Sequence, residues 1–256
     1  MCTLVILRRP DTNWPVLIGA NRDELLSRKW SPPARHWDDR PTIVGGLDCQ
    51  AGGSWLGIND NGVVAGILNR TGTLGPEANK RSRGELVLEA LEHADSRSAA
   101  DALAGLNGLA YRPFNLVIAD NRDAFWLAHR NEKRRNDIDI QEIPNGLSML
   151  TAWDINDKRS PRIKTYLPLF NKSPIPDPDS DDWKGWKNLL ASRVYSPEDG
   201  PEEAMQIATD TGFGTSSSSL IGLPSVNAIG IYPTWHFSSG HPCPAPYSAI
   251  DLIKTL

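Results

Sequence analysis

The chain has 256 residues, a formal charge of −4 and a sequence pI near 5.7, with 39% hydrophobic and 23% charged residues. That is a folded globular composition with ample length for a sizeable core, and it excludes wholesale disorder and a general affinity for nucleic acid or anionic membrane. No apolar run approaches the ~20 residues that cross a bilayer, the N-terminus lacks a secretory pattern, and Cys2, Cys49 and Cys243 are too few for a disulfide framework or a zinc cluster; the expectation is a soluble, thiol-reduced, cytoplasmic protein holding no metal.

In chain order, the apolar runs Leu4 to Leu7 and Val16 to Ile18 flank the turn cluster from Pro10 to Pro15 and predict a hairpin. A second hairpin is predicted for Trp55 to Ile58 and Val63 to Leu68, turning at Asn59-Asp60-Asn61-Gly62. Neither pair alternates cleanly, the mark of strands covered on both faces. Ser82-Arg83-Gly84-Glu85 reads as a capping box opening a helix with Val87, Ala90, Leu91 and Ala94 on one face. Ser98 is predicted to cap a second helix with Ala99, Ala102, Leu103 and Leu106 inward. Strands follow at Phe114 to Ala119, Ala124 to Ala128 and Leu147 to Thr151. A loop is predicted over Asn171 to Asp182, a helix from Trp183 to Leu190, and short strands at Ser219 to Ile221 and Ala228 to Tyr232. With no repeat and no linker, residues 1–256 read as a single α+β domain of layered antiparallel sheets.

Cys2 is the most informative residue. Once Met1 is removed, as expected before a small residue, one residue holds both a thiol and an α-amine. The amine's reference pKa of about 8 suits it to take the thiol proton. If the first hairpin turns near residues 12 and 13, antiparallel partners sum to about 25. This sets Cys2 opposite Asp23, with Asn21 and Arg22 beside it. A carboxylate there can orient the amine, and an arginine can lower the thiol pKa.

These residues carry a resemblance. The string Asn21-Arg22-Asp23-Glu24, with Met1-Cys2 and Gly52 to Ile58, resembles the NRDE-motif family, also called transport and Golgi organisation 2. Weaker blocks are Arg83 to Leu86, Phe114 to Asp120 and Gly214-Thr215. The resemblance implies an αββα four-layer sandwich similar to N-terminal-nucleophile hydrolases. The chain also looks like their choloylglycine hydrolase and acid-amidase branch, which begin Met-Cys-Thr. By that likeness Asp23 is matched and the arginine stands at position 22 instead of 20. The spacing from Gly62 makes Asn69 the candidate oxyanion donor. Two positions depart from the pattern: Ala152 where the branch has asparagine, and Ser216 where many NRDE proteins have arginine.

The expected activity is hydrolysis of a small amphipathic amide by Cys2, with Arg22, Asp23 and Asn69 as catalytic partners. Asn21 and Trp55 are assigned to substrate binding, and Trp30, Trp37 and Trp55 to an apolar cleft. The alternative is a non-enzymatic haem or lipid carrier on the same fold, haem being the cofactor only in that case. His241-Pro242-Cys243-Pro244 is the string that could offer an axial ligand, although it reads better as a stiff surface loop.

Overall fold

The computed structural model describes residues 2–130, 138–240 and 245–253. The chain forms β1 (Thr3–Arg8) and β2 (Val16–Leu25), then β3 (Trp30–Ala34), β4 (Ile43–Asp48), β5 (Leu56–Asn59) and β6 (Val64–Asn69). Helices α1 (Gly84–Leu91) and α2 (Ser96–Ala104) follow, then β7 (Phe114–Ala119), β8 (Ala124–His129) and β9 (Asp139–Glu142). The last part holds β10 (Gly146–Leu150), α3 (Pro161–Lys172), α4 (Lys184–Leu190), β11 (Phe213–Leu223), β12 (Thr234–Ser238) and β13 (Ser248–Ala249). Two compact units result, one of Met1–Arg28 with Pro144–Leu256, the other Lys29–Ile143. None of the described helices is long and apolar enough to cross a membrane.

The first unit is a six-stranded antiparallel sheet in the order β10-β1-β2-β11-β12-β13. Directly opposed residues share a face. Val5, Leu17, Met149 and Leu220 form one apolar face, and Ile163, Tyr166 and Phe170 of α3 with Trp186 and Leu190 of α4 cover it. Gly19 belongs to that face because a Cβ there would meet the Trp186 ring at 3.0 Å.

The second unit is a seven-stranded antiparallel sheet in the order β3 through β9. Ala65, Phe114, Leu116 and Leu127 meet Leu86 and Leu91 of α1 and Leu103 of α2 in its core. Pro32 and Pro33 are tolerated because β3 is an edge strand, and its register breaks between Ser31 and Ala34 where they stand.

Both hairpins form, and the predicted strands at 114–119, 124–128 and 147–151 match within a residue. Other expectations are corrected. Arg83, not Ser82, stands at the capping position of α1 and makes no side-chain capping bond, while the Ser82 hydroxyl accepts from the Gly84 amide at 3.2 Å. There the Gly84 carbonyl accepts instead from Ser54 N at 3.0 Å, docking the helix start on the strand segment. Asp95, not Ser98, caps α2, and the Ser98 amide is its donor. Residues 228–232 are not a strand; the last strands are the 11-residue β11, which contains the expected 219–221, then β12 and the short β13. Helix α3, absent from the sequence reading, begins with Ser160 capping and Pro161 in the first turn.

Candidate active site

The Asn-Arg-Asp-Glu string lies inside β2, not beyond its end. The β1–β2 ladder pairs Thr3 with Asn21, one residue short of the expected register. Because side chains alternate with a period of two, that slip changes which face each group occupies. Continued one step, the ladder sets Cys2 opposite Arg22, while Asp23 turns to the face covered by α3 and α4. Cys2 still lies beside Asp23 in the chain path, with Sγ 3.5 Å from the Asp23 carbonyl oxygen.

The Asp23 side chain is buried, and Arg162 and Thr215 both donate to it. Arg162 Nη1 donates to Oδ2 at 2.9 Å, and Thr215 Oγ1 donates to Oδ1 at 2.7 Å. Arg162 Nη1 also donates to Thr3 Oγ1 at 2.7 Å. Thr215 in turn accepts from the Ile207 amide at 2.9 Å, tying the carboxylate to the segment after α4. Asn21, on the same face, donates to the Leu190 and Met205 carbonyls at 2.9 and 2.8 Å and accepts from Ser218. Those bonds make Asn21 a fastening between the sheet and its helical cover.

Arg22 occupies the other face. β11 carries a bulge between Thr215 and Ser217, and the extra residue, Ser216, turns to Arg22. Arg22 Nη1 donates to Ser216 Oγ at 2.9 Å, and Ser216 Oγ donates to the Arg22 carbonyl at 3.1 Å. Glu24 Oε2 stands 3.8 Å from Arg22 Nη2. Gly240 makes the bulge possible from behind: a Cβ there would lie 2.9 Å from the Ser217 amide nitrogen.

These surroundings set the state of the thiol. Burial pushes the half-buried Cys2 thiol above its ordinary value and the Asp23 charge adds to the rise; the charge of the chain's α-amino group, the bond to the Asp23 backbone and Arg22, in that order, oppose it only in part. Cys2 therefore rests as a thiol near neutral pH, and its attack requires a base to take the proton.

Asn69 and Trp55 belong to the second unit. Asn69 ends β6 opposite Phe114, a member of the α1–α2 core. Asn115, next along β7, is fully buried on the other face of the sheet and accepts from Arg70 Nη1 at 2.6 Å and Trp126 Nε1 at 3.1 Å. Trp55 precedes β5 and is half-buried; its ring lies against Gly46, where a Cβ would come within 2.3 Å. It stacks edge-on with Trp30 at 5.7 Å, while Trp37 donates to the Gly52 carbonyl at 2.8 Å. His241 and Cys243 lie outside the described residues. Among the described residues no group of three His, Cys, Asp or Glu side chains could hold a metal ion. The sequence reading missed Arg162 and Thr215; a Ser-Pro helix start at 160–161 was the available signal for the first.

The fold resembles solved amidases and acylases. A variant of the conjugated bile acid hydrolase from Clostridium perfringens aligns with a TM-score of 0.58 and 13% identity, over 100% of this chain and 94% of that one. The Caenorhabditis elegans ortholog of N-acylethanolamine-hydrolyzing acid amidase gives 0.53 and 14%, over 86% and 92%. The architecture is thus α+β, two antiparallel sheets with helices, and its fold is similar to that of these hydrolases and acylases. Residues 1–221 match the Transport and Golgi organisation 2 family, and the chain belongs to it. The Homo sapiens Transport and Golgi organization protein 2 homolog is 38% identical over 111 residues. That match spans 41% of this chain and 38% of the human protein.

Proposed function

We propose that this protein is an N-terminal-nucleophile amide hydrolase acting on a small amphipathic amide through Cys2. One observation carries the reading: the first hairpin brings Cys2 against the Arg22–Asp23 step of β2, with Sγ 3.5 Å from the Asp23 carbonyl. The likeness to amidases and acylases supports it. With Met1 removed, the Cys2 amine takes the thiol proton as sulfur bonds to the amide carbon. The proton passes to the nitrogen as the carbon–nitrogen bond breaks and the amine leaves. Water then attacks the thioester, releasing the acid and restoring the thiol. Asp23 and Arg22 position this end of the chain. Asn69 enters on its spacing from Gly62 as the donor to the oxyanion, a role typically worth about 10²–10³ in rate, and Trp55 as an apolar wall for the acyl group.

The test is intact mass after incubation with N-acyl amides. The expected result is a mature chain lacking Met1 and an acyl adduct on Cys2 that is absent from Cys2→Ala. Retained Met1 with no adduct, beside a stoichiometric haem spectrum that survives Cys2→Ala, would replace this reading with the carrier.

A further inference from the structure

The Cys2 site contains a second guanidinium, set on a different element from the Asn-Arg-Asp-Glu string. Arg162 comes from the first turn of α3, held there by Ser160 capping and Pro161. Its side chain is wholly buried, as is that of Asp23. Nη1 serves Thr3 on β1 and Asp23 on β2, and Nη2 donates to the Glu202 carbonyl at 2.5 Å. One side chain therefore joins both strands of the Cys2 hairpin to the helix cover and to the segment that leads into Thr215's partner, Ile207. A buried ion pair of this kind is weak evidence for stability, because desolvation offsets much of the attraction. Its position at the hairpin end suggests a role in setting the site.

We propose that Arg162 is a positioning residue for Cys2: it holds the Asp23 carboxylate on the helix-covered face, away from the face that the Cys2 side chain occupies, and supplies a counter-charge that weakens the effect of that carboxylate on the thiol. This rests on the reading of Cys2 as nucleophile. The charged groups around the pair are Arg22 and Glu24 on β2, Arg162 on α3, and Glu203, whose Oε2 accepts from the Arg162 amide at 3.3 Å. The negative charge of Asp23 disfavours the thiolate. Removing Arg162 takes away that counter-charge and the Nη1 bond to Oδ2, so the Asp23 charge weighs more heavily on the thiol.

The experiment measures iodoacetamide alkylation of Cys2 against pH by mass spectrometry, with Cys49 in the same molecule as a control. It requires a thiolate but no substrate. Arg162→Met should slow Cys2 alkylation about tenfold near neutral pH, equivalent to one unit of displacement, and carry its rise to higher pH; Cys49 should not change. Arg162→Lys, which keeps the charge, should lie between. If Arg162→Met fails to fold, the Arg162→Lys displacement and that of Thr3→Val, which removes one acceptor, decide the matter. A Cys2 profile identical to wild type in folded Arg162→Met, or in both substitutes, overturns the proposal. An Arg162-dependent profile with no acyl adduct from any amide leaves Arg162 in its role and removes the hydrolase.

Discussion

Asp23 and Arg162 meet at 2.9 Å with both side chains fully withdrawn from solvent, although 139 residues separate them in the chain. The contact ties the first hairpin to the helix that covers it. The stability consequence follows from the asymmetry of buried charges. A pair contributes little beyond an apolar substitute, but one partner left alone is costly.

Asp23→Ala should therefore destabilise the protein by about 3–5 kcal/mol, since Arg162 would remain buried without its carboxylate. Asp23→Asn, which keeps an acceptor for Arg162, should cost less. Urea unfolding of both variants checks this. A loss under ~1 kcal/mol for Asp23→Ala would show that the hairpin end does not depend on the pair.

The state of the thiol gives a second expectation. Burial and the Asp23 charge raise the Cys2 thiol, whereas Cys49 is exposed on the other unit. Iodoacetamide near neutral pH should label Cys49 well before Cys2, with Cys2 catching up as the solution is made more alkaline. In an activity assay the order reverses: Cys2→Ser should remove most turnover and Cys49→Ser little, because only Cys2 has an adjoining amine. Faster labelling of Cys2 than of Cys49 at neutral pH would contradict the site described here.

Much of the frame was legible because its signals are local. Turn residues at 10–15 and 59–62 mark the hairpins, and the doubly apolar strands match sheets covered by helices. What escaped depends on distant partners. The register of the first hairpin was expected one residue off, because a turn cluster of six residues does not fix which pair closes it, and that single step moves Asp23 to the face of Arg162. β3 and β4 hid behind Pro32-Pro33 and Gly45-Gly46, residues acceptable only at an edge strand or against a close neighbour such as the Trp55 ring. Helix α3 was obscured by Pro161 and Pro168, and nothing local distinguishes the buried Arg162 from its neighbours Lys158, Arg159 and Lys164. Ser216 appeared as a missing arginine; in the fold it is the bulge residue that holds Arg22.

Asn115 and Asn69, both of the second unit, should separate by phenotype. Asn115 is buried and accepts two hydrogen bonds, one from Arg70 and one from the Trp126 indole. Asn115→Ala removes the acceptor of both bonds, and the Trp126 indole donor left unsatisfied should cost roughly 1–3 kcal/mol. Asn69 is half-buried at the end of β6. Asn69→Ala should leave unfolding nearly unchanged and lower turnover by about 10²-fold if it donates to the oxyanion. Steady-state kinetics beside thermal unfolding reads both. Full turnover in Asn69→Ala would remove Asn69 from the mechanism.

His129 makes stability depend on pH from inside the second unit. It ends β8, is 1% exposed, and neither ring nitrogen has a hydrogen-bond partner among the described residues. Its ring lies 5.9 Å from that of Phe114. Burial pushes its pKa below the ordinary 6.5, and the charges of Lys80 and Arg70 lower it further. The unfolded chain thus binds a proton near pH 6.5 where the native state does not. The stability contributed by neutral His129 is fully present above that pH and is lost as the pH falls through and below it. His236 is displaced the same way, by burial first, with Lys187 adding and Asp181 opposing, so part of the acid loss will survive any change at His129. His129→Phe removes the titration and both unsatisfied nitrogens while keeping a ring beside Phe114. It should melt at or above wild type at pH 7.5. Between pH 7.5 and 5.5 its melting temperature should fall by roughly 2–4 °C less than wild type for each kcal/mol the neutral imidazole contributes. Parallel acid losses in the two proteins would mean that His129 finds a partner for its proton in the native state.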